Sequence, residues 1–291
     1  MKSHRPKNAS SPKTHWANVA EWYDQLVGDE GSEYHQHVIL PGILRLLEIK
    51  GKGGEKADRP LAVLDLACGQ GVLCRKLAAA GCKVTGLDAA TPLIEAAKKR
   101  NEADRLAIDY RVADATKLLD DNNRLAAPLG GEAAQSFDAI TLVLAVQNMT
   151  PLSPIWQGAR ELLRPNGSLI LVMMHPCFRV PKHSDWCWDE STGRQGRVIY
   201  EYLTSSKIEI VTHPGLAAAG KAAGQKTTTH FHRPLQAYVN TLGNAGLPMD
   251  HMEEWSSHKT SQPGPKKAAL DASRKQIPMF LAIRARKEAR S

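Results

Sequence analysis

The run Val63-Leu-Asp-Leu-Ala-Cys-Gly-Gln-Gly71 and the later Val84-Thr-Gly-Leu-Asp88 constrain the fold more than any other part of the chain. An apolar stretch over 61–64 reads as a buried strand, and a loop of small residues carrying Asp65, Ala67, Gly69 and Gly71 follows it. Residues 73–80 read as a helix ending at Gly81, and the next apolar run, 82–87, ends in a carboxylate. Strand, tight turn, helix and acid-tipped strand make a nucleotide-binding α/β unit. Its glycines let a ligand approach the backbone, and its second acid meets ribose hydroxyls. The loop spacing is D-x-A-x-G-x-G, with an acid ahead of the glycines and no third glycine, so it departs from the dinucleotide fingerprint. A carboxylate there repels a pyrophosphate and suits a ligand with a positive ammonium group.

The alternation continues downstream. Strands are expected over 61–66, 82–87, 108–112, 137–146 and 168–174, with helices over 72–80, 91–103 and 153–163 and a turn at Arg164-Pro-Asn-Gly167. Such alternation implies a parallel sheet with right-handed crossovers. Upstream, 16–27 and 34–49 have helical spacing, with Pro41 expected to turn or kink the chain between two short helices. Residues 51–60 read as a charged, glycine-rich linker, and 122–136 as a loose connection. The rhythm breaks over 176–230, which holds Trp186 and Trp188 and an expected antiparallel pairing of 198–203 with 207–211. A helix over 233–245 resumes it, and strands over 249–255 and 279–285 close the fold around a mobile basic loop, 256–276. The chain thus divides into a basic tail (1–14), N-terminal helices over the site (15–60), a core (61–175), a substrate-covering insertion (176–230) and a closing segment (231–291).

Charge is unevenly placed. The net charge is +8, yet 1–14 hold four Lys/Arg without an acid and 259–291 hold nine against two, which leaves the body slightly acidic. That argues against nucleic acid, which wants a basic face on the folded body. Hydrophobic residues at 42% and charged residues at 23% are ordinary globular values. No apolar run is long enough for a membrane span, and the polar N-terminus does not read as a secretory signal. Five cysteines without framework spacing read as thiols of a reducing cytoplasm.

The 63–71 run resembles motif I of the class I S-adenosylmethionine-dependent methyltransferases, with Ala67 in place of the usual first glycine. The order of elements is similar to that family over about 61–174 and more loosely over 232–286, and the later His175-Pro-Cys-Phe178, Trp186-Cys-Trp188, His232-Arg-Pro-Leu235 and Pro278-Met-Phe-Leu-Ala282 look like a bacterial small-molecule subgroup. The resemblance implies an α/β, Rossmann-like, seven-stranded and mostly parallel sheet with helices on both faces, its last strand antiparallel, and a substrate-cap insertion after strand five. It implies S-adenosylmethionine as cofactor and S-adenosylhomocysteine as product. Asp65 would help hold the methionine ammonium, Gly69 and Gly71 would face the cofactor with bare backbone beside Ala67, and Asp88 with Ala89 would take the ribose. Asp114 and Ala115 would meet the adenine, Leu144 would line the reactive end, and Tyr23 would close over it. Each has a plainer alternative: helix or turn capping for the acids and glycines, core packing for Tyr23.

Methyl transfer from a sulfonium is an in-line displacement that needs alignment, exclusion of water and, for some acceptors, removal of a proton. His175, just after strand five, is the candidate base, or else a pocket-shaping hydrogen bonder. Gln147, Asn148, His175, Trp186, Trp188, His232 and Arg233 are candidate substrate contacts, with helix capping as the alternative for Gln147, Asn148, His232 and Arg233, and a surface elaboration or dimer contact as the alternative for the two tryptophans. A zinc set of His175, Cys177, His183 and Cys187 matches no common module, so no metal is expected. Methylation of RNA or protein, a binding module without turnover, and a nicotinamide dehydrogenase are rival readings. A chain lacking residues 1–14, which have no apolar anchor, is expected to bind S-adenosylmethionine within about threefold of the full chain by calorimetry. A larger loss would fold the tail over the site.

Overall fold

The computed structural model describes residues 15–49, 59–127, 129–211 and 227–288, so the tail over 1–14 and most of the linker over 51–60 lie outside the described residues. The strands are β1 (Ala62–Leu66), β2 (Lys83–Asp88), β3 (Ile108–Val112), β4 (Phe137–Val143), β5 (Leu163–Met174), β6 (Ser184–Asp189), β7 (Arg194–Ile199), β8 (Ser206–Val211), β9 (Thr227–His232), β10 (Met249–Trp255) and β11 (Phe280–Arg286). The α-helices are α1 (Ala20–Val27), α2 (Leu40–Leu46), α3 (Val72–Ala79), α4 (Thr91–Asp104), α5 (Ser153–Leu162), α6 (Leu235–Asn244) and α7 (Lys267–Gln276).

Seven strands form one sheet in the order β10-β11-β5-β4-β1-β2-β3. The pairings among β1 to β5 are parallel, and β11 runs antiparallel between β5 and β10. All five residues of β1 are buried, because helices cover both faces of the sheet. On one face Leu64, Leu66, Leu169 and Leu171 meet Trp156 of α5 and Tyr238 of α6. On the other, Val63, Ile170 and Val172 meet Ile43 of α2 and Leu77 of α3. Side chains alternate across a strand, so uninterrupted apolar runs serve both layers.

Several expectations need correction. Pro41 does not divide the N-terminal helices: a π-turn over His35–Ile39, in which the Leu40 N–H donates to the His35 carbonyl, runs into α2 and shifts the bonding pattern just before the residue that lacks an N–H. The expected turn at Arg164-Pro-Asn-Gly167 stays inside β5, and the extra length appears as a register shift against β4. Residues 198–203 do not pair with 207–211. β6 pairs with β7, and β8 with β9, each as a separate antiparallel hairpin. The expected mobile loop over 256–276 contains α7, whose Ser273 hydroxyl donates to Gln195 of β7 at 2.9 Å. Packing on a hairpin gives that helix the tertiary support its polar sequence lacks.

Trp255, at the end of β10, lies against α2 where only a glycine fits: a Cβ on Gly42 would stand 2.4 Å from two atoms of the indole ring. The ring is held by its N–H, which donates to Glu253 at 2.7 Å. Gly42→Ala is therefore expected to lower stability by about 1–3 kcal/mol through overpacking, read as a fall in the urea midpoint. An unchanged midpoint would show that Trp255 has room to give way.

Candidate active site

β1 has β2 on one side and β4 on the other, and the chain leaves these strands in opposite directions. The crevice at their carboxyl ends is the place where open α/β sheets bind ligands. A cavity of about 320 Å³ lies there, and Tyr23, Ala67, Gly69, Asp88, Ala89, Asp114, Ala115, Leu144 and Asn148 are all on its wall.

The carboxylates are fixed before any ligand arrives. Asp88 Oδ1 accepts from the Ala90 N–H at 2.8 Å, and Oδ2 accepts from the Gly69 N–H at 2.9 Å. Burial raises its pKa, and those two N–H groups oppose the rise. Asp114 Oδ1 accepts from the N–H of Thr116 at 2.9 Å and its hydroxyl at 2.7 Å, capping the 3₁₀ turn Ala115–Lys117. Asp114 is therefore both a cap and part of the cavity wall.

Asp65 lies behind the wall, 3% exposed. The Thr141 hydroxyl donates to it at 2.7 Å and the Cys74 thiol at 3.4 Å. Burial pushes its pKa up to about 7, against those two donors, with Asp88 adding to the rise. Ala67 and Gly69 both have left-handed backbone, at φ 54° and 56°. A Cβ on Gly69 would come within 3.3 Å of the Tyr23 ring. Gly71 faces elsewhere: a Cβ there would meet the Tyr110 hydroxyl at 2.2 Å, so its role is to let that ring pack against the start of α3.

The N-terminal segment is strapped over the glycine loop. Arg100 of α4 pairs with Asp24 at 2.9 Å and Asp29 at 2.6 Å, and the Gln70 side chain donates to the Gly28 carbonyl at 2.7 Å. These contacts seat Tyr23 beside Gly69, with Trp16 edge-on to it at 5.4 Å. Burial raises the Tyr23 pKa, with Asp88 and Asp65 adding to the rise, so its hydroxyl stays protonated.

Other candidates stand outside the wall. His175 is buried; its Nδ1 accepts from the Cys177 N–H at 3.2 Å, which places the ring proton on Nε2, donating to Glu254 at 2.7 Å. Burial lowers its pKa, and Glu254 opposes the drop. With both nitrogens engaged, neither is free to take an acceptor's proton in this arrangement. Gln147 clamps the end of β5, donating to the Met174 carbonyl and accepting from its N–H, both at 3.1 Å. His232 Nε2 donates to the Tyr202 carbonyl at 2.8 Å, and Arg233 to the Met149 carbonyl at 2.8 Å. Trp186 and Trp188 lie on the β6–β7 hairpin and are not part of the cavity wall.

The sequence reading missed the far wall. Lys207, Thr229 and Phe231 come from the β8–β9 hairpin, and Trp16 and Thr150 complete the rim. Asn148 ties the hairpin down by donating to the Thr229 carbonyl at 2.7 Å. Along β9, Thr228, His230 and His232 are buried while Thr229 and Phe231 stand on the cavity wall, an alternation that the sequence Thr-Thr-Thr-His-Phe-His does not show. Among the described residues, no group of three or more His, Cys, Asp or Glu is placed to hold a metal, and no helix is long and apolar enough to cross a membrane.

Residues 63–167 match the family described as the methyltransferase domain. The ubiquinone biosynthesis O-methyltransferase of Actinobacillus pleuropneumoniae serotype 5b is 33% identical over 153 residues, covering 52% of this chain and 58% of that protein. The chain therefore spans little more than half the length of that relative. The protein of the same name from Sinorhizobium medicae is 24% identical over 225 residues, 74% of this chain and 83% of the other. An S-adenosylmethionine-dependent methyltransferase from Mesorhizobium loti shares the fold with a TM-score of 0.60 at 23% identity, covering 86% of this chain and 99% of that one. Phosphoethanolamine N-methyltransferase 2 of Haemonchus contortus, solved with S-adenosylmethionine, has a TM-score of 0.55 at 14% identity, over 94% of this chain and 57% of that one. Residues 63–167 thus match a methyltransferase domain, and the chain shares the fold of S-adenosylmethionine-dependent methyltransferases of known structure.

The elevated pKa of Asp65 has a definite sign. The folded protein holds a proton that the unfolded chain releases near pH 4, so this group costs stability progressively as pH rises from about 4 to about 7. Asp65→Asn is therefore expected to stabilise the ligand-free protein, by about 2 kcal/mol or more at pH 8 and by almost nothing at pH 3. Urea unfolding at several pH values measures it; a difference that does not grow with pH would place the Asp65 pKa near its ordinary value.

Proposed function

We propose that the protein transfers a methyl group from S-adenosylmethionine to a small-molecule acceptor by in-line displacement. The observation that carries this is the meeting of Asp88, Asp114 and the bare backbone of Gly69 on one cavity, with Asp65 buried behind it. Bound S-adenosylmethionine supplies an electrophilic methyl on an already activated sulfonium. Asp88, held by two backbone N–H groups, takes the ribose hydroxyls, and Asp114 with Ala115 takes the adenine. Asp65 and the glycine loop favour the positive methionine end, and Tyr23 and Leu144 keep water away from the reacting atoms. The free thiols are at home in a reducing cytoplasm.

Two observations favour a small acceptor. The relatives' names specify ubiquinone biosynthesis and methylation on oxygen. The basic C-terminal stretch is also largely neutralised within the protein: Lys259, Lys266, Lys267, Arg274, Arg284 and Arg286 each stand within 4 Å of a carboxylate. A nucleic-acid face needs free cations. His175 acts as a strut between the end of β5 and Glu254, so the chain contributes alignment and exclusion of water rather than an imidazole base.

A ligand that binds only the native state raises the unfolding midpoint. S-adenosylmethionine and S-adenosylhomocysteine are expected to raise it, and NAD is not. Gly69→Val puts a branched side chain on left-handed backbone against Tyr23, and Asp88→Ala removes the ribose acceptor. Each is expected to weaken S-adenosylmethionine binding by at least about tenfold in calorimetry. Equal binding by wild type and folded variants would sink the assignment.

A further inference from the structure

One pair of cations is left unmatched by the contacts that hold the protein together. Arg179 and Arg197 both stand over the indole ring of Trp186, each with its guanidinium carbon 5.1 Å from the ring centroid. Trp186 and Arg197 are directly opposed across the β6–β7 hairpin, so the sheet register itself sets them on one face. Arg197 donates to the Phe178 carbonyl and, at 2.8 Å, to the Ser184 hydroxyl. Arg179 has no side-chain acceptor among the described residues, and its Nε is buried without a partner. Neither arginine has a carboxylate within 4 Å among the described residues. Of the acids around them, Asp185 favours the Arg197 charge from beyond 4 Å while accepting from the Trp186 N–H, and Glu254 is bound to His175.

Two neighbouring guanidinium groups repel, and partial burial removes the water that would otherwise screen them. Burial, and then Arg197, pull the Arg179 pKa down to about 10, so both groups are still cations at neutral pH. Stacking on an indole face offsets part of this cost but leaves the buried Nε–H of Arg179 unsatisfied. An anion completes the arrangement. A guanidinium fork matches a carboxylate or phosphate edge in two hydrogen bonds, which an ammonium group cannot do.

The location suits an acceptor. Arg179 lies five residues beyond the end of β5, and its backbone N–H donates to the His175 carbonyl at 2.8 Å. Gln147 clamps the end of β5 to the turn that carries Leu144 and Asn148, so the arginine pair and the cavity share one sheet edge. Trp186 adds a planar apolar face beside the two charges.

We propose that Arg179 and Arg197, set over Trp186, bind the anionic group of the methyl acceptor, which makes the acceptor a small aromatic or other planar molecule bearing a carboxylate or phosphate. The proposal rests on the methyltransferase reading above, and the test separates the two. Benzoate, phenyl phosphate and the neutral benzamide are titrated into the full chain, with and without S-adenosylhomocysteine, and binding is followed by calorimetry and NMR. One or both anions are expected to bind at least about tenfold more tightly than benzamide, and the tighter of them tells carboxylate from phosphate. Arg179→Leu is expected to remove at least about tenfold of that affinity while leaving S-adenosylhomocysteine affinity unchanged. Arg179→Lys, which keeps the charge without the fork, is expected to fall between and decides the matter if the leucine variant does not fold. Equal binding of anions and benzamide, no binding of either anion, or wild-type anion affinity in the Arg179 variants would overturn the proposal. Failure of S-adenosylhomocysteine to bind would instead remove the cofactor reading, and anion binding to the ligand-free chain would still decide the arginine site.

Discussion

Two carboxylates end adjacent parallel strands, and the rest of the site depends on how they are held. Asp65 and Asp88 lie at the carboxyl ends of β1 and β2, both almost wholly buried. Burial raises the pKa of each, and Asp88 adds to the rise at Asp65. Such a pair is stable only with donors aimed at it. The fold provides them from four places: the glycine loop and Ala90 to Asp88, and Thr141 of β4 and Cys74 of α3 to Asp65. Asp88 thereby sets the path of the loop that follows β1, since its Oδ2 receives the Gly69 N–H. The course of the loop along the cavity wall is a by-product of satisfying a buried acid.

That constraint explains why the sheet order matters to function. Thr141 reaches Asp65 because β4 pairs directly with β1, register Asp65 to Thr141. Cys74 reaches it because α3 starts immediately after the loop. The strap of α1 onto α4, through Arg100 with Asp24 and Asp29, is a second layer that brings Tyr23 over the same loop. These partly exposed pairs are individually weak, and the Gln70 side chain adds a third tie by donating to the Gly28 carbonyl.

The central strands β1, β4 and β5 were legible because they are largely buried on both faces, which writes each of them as a predominantly apolar run. The residues proposed from the first unit, among them Gly69, Asp88, Asp114 and Leu144, stand around one cavity for the same reason: they end strands that could be read. Beyond residue 175 the strands were less legible. Arg-Gln-Gly-Arg-Val-Ile of β7 and Thr-Thr-Thr-His-Phe-His of β9 are half-exposed hairpin strands with polar faces, and β9 is separated from its partner by residues 212–226. Their register comes from tertiary packing, which no local pattern records. Lys207 and Phe231 could not be found without it. The basic composition of 256–276 suggested a loop, yet α7 exists because β7 gives it a surface. His175 looked like a base from its position after β5; only the Cys177 N–H and Glu254 on either side of the ring reveal that both nitrogens are engaged.

Two further features of the wall bear on the ligand-free state. Ala67 and Leu144 both have φ near 54°, a conformation in which a side chain costs about 1–2 kcal/mol and which glycine adopts freely. Leu144 is fixed there by its N–H, which donates to the Val172 carbonyl at 2.8 Å, so β5 enforces the bend that ends β4. Ala67 is fixed by its neighbour Cys68, whose N–H donates to the Leu87 carbonyl at 2.9 Å. In each case a ladder hydrogen bond from an adjacent strand holds an unfavourable turn at the cavity. Together with the buried Asp65 carboxyl, this makes the cavity wall an energetically costly part of a well-packed fold. On the proposed function, the positive end of the cofactor would relieve the electrostatic part of that cost, while the sheet has already set the geometric part.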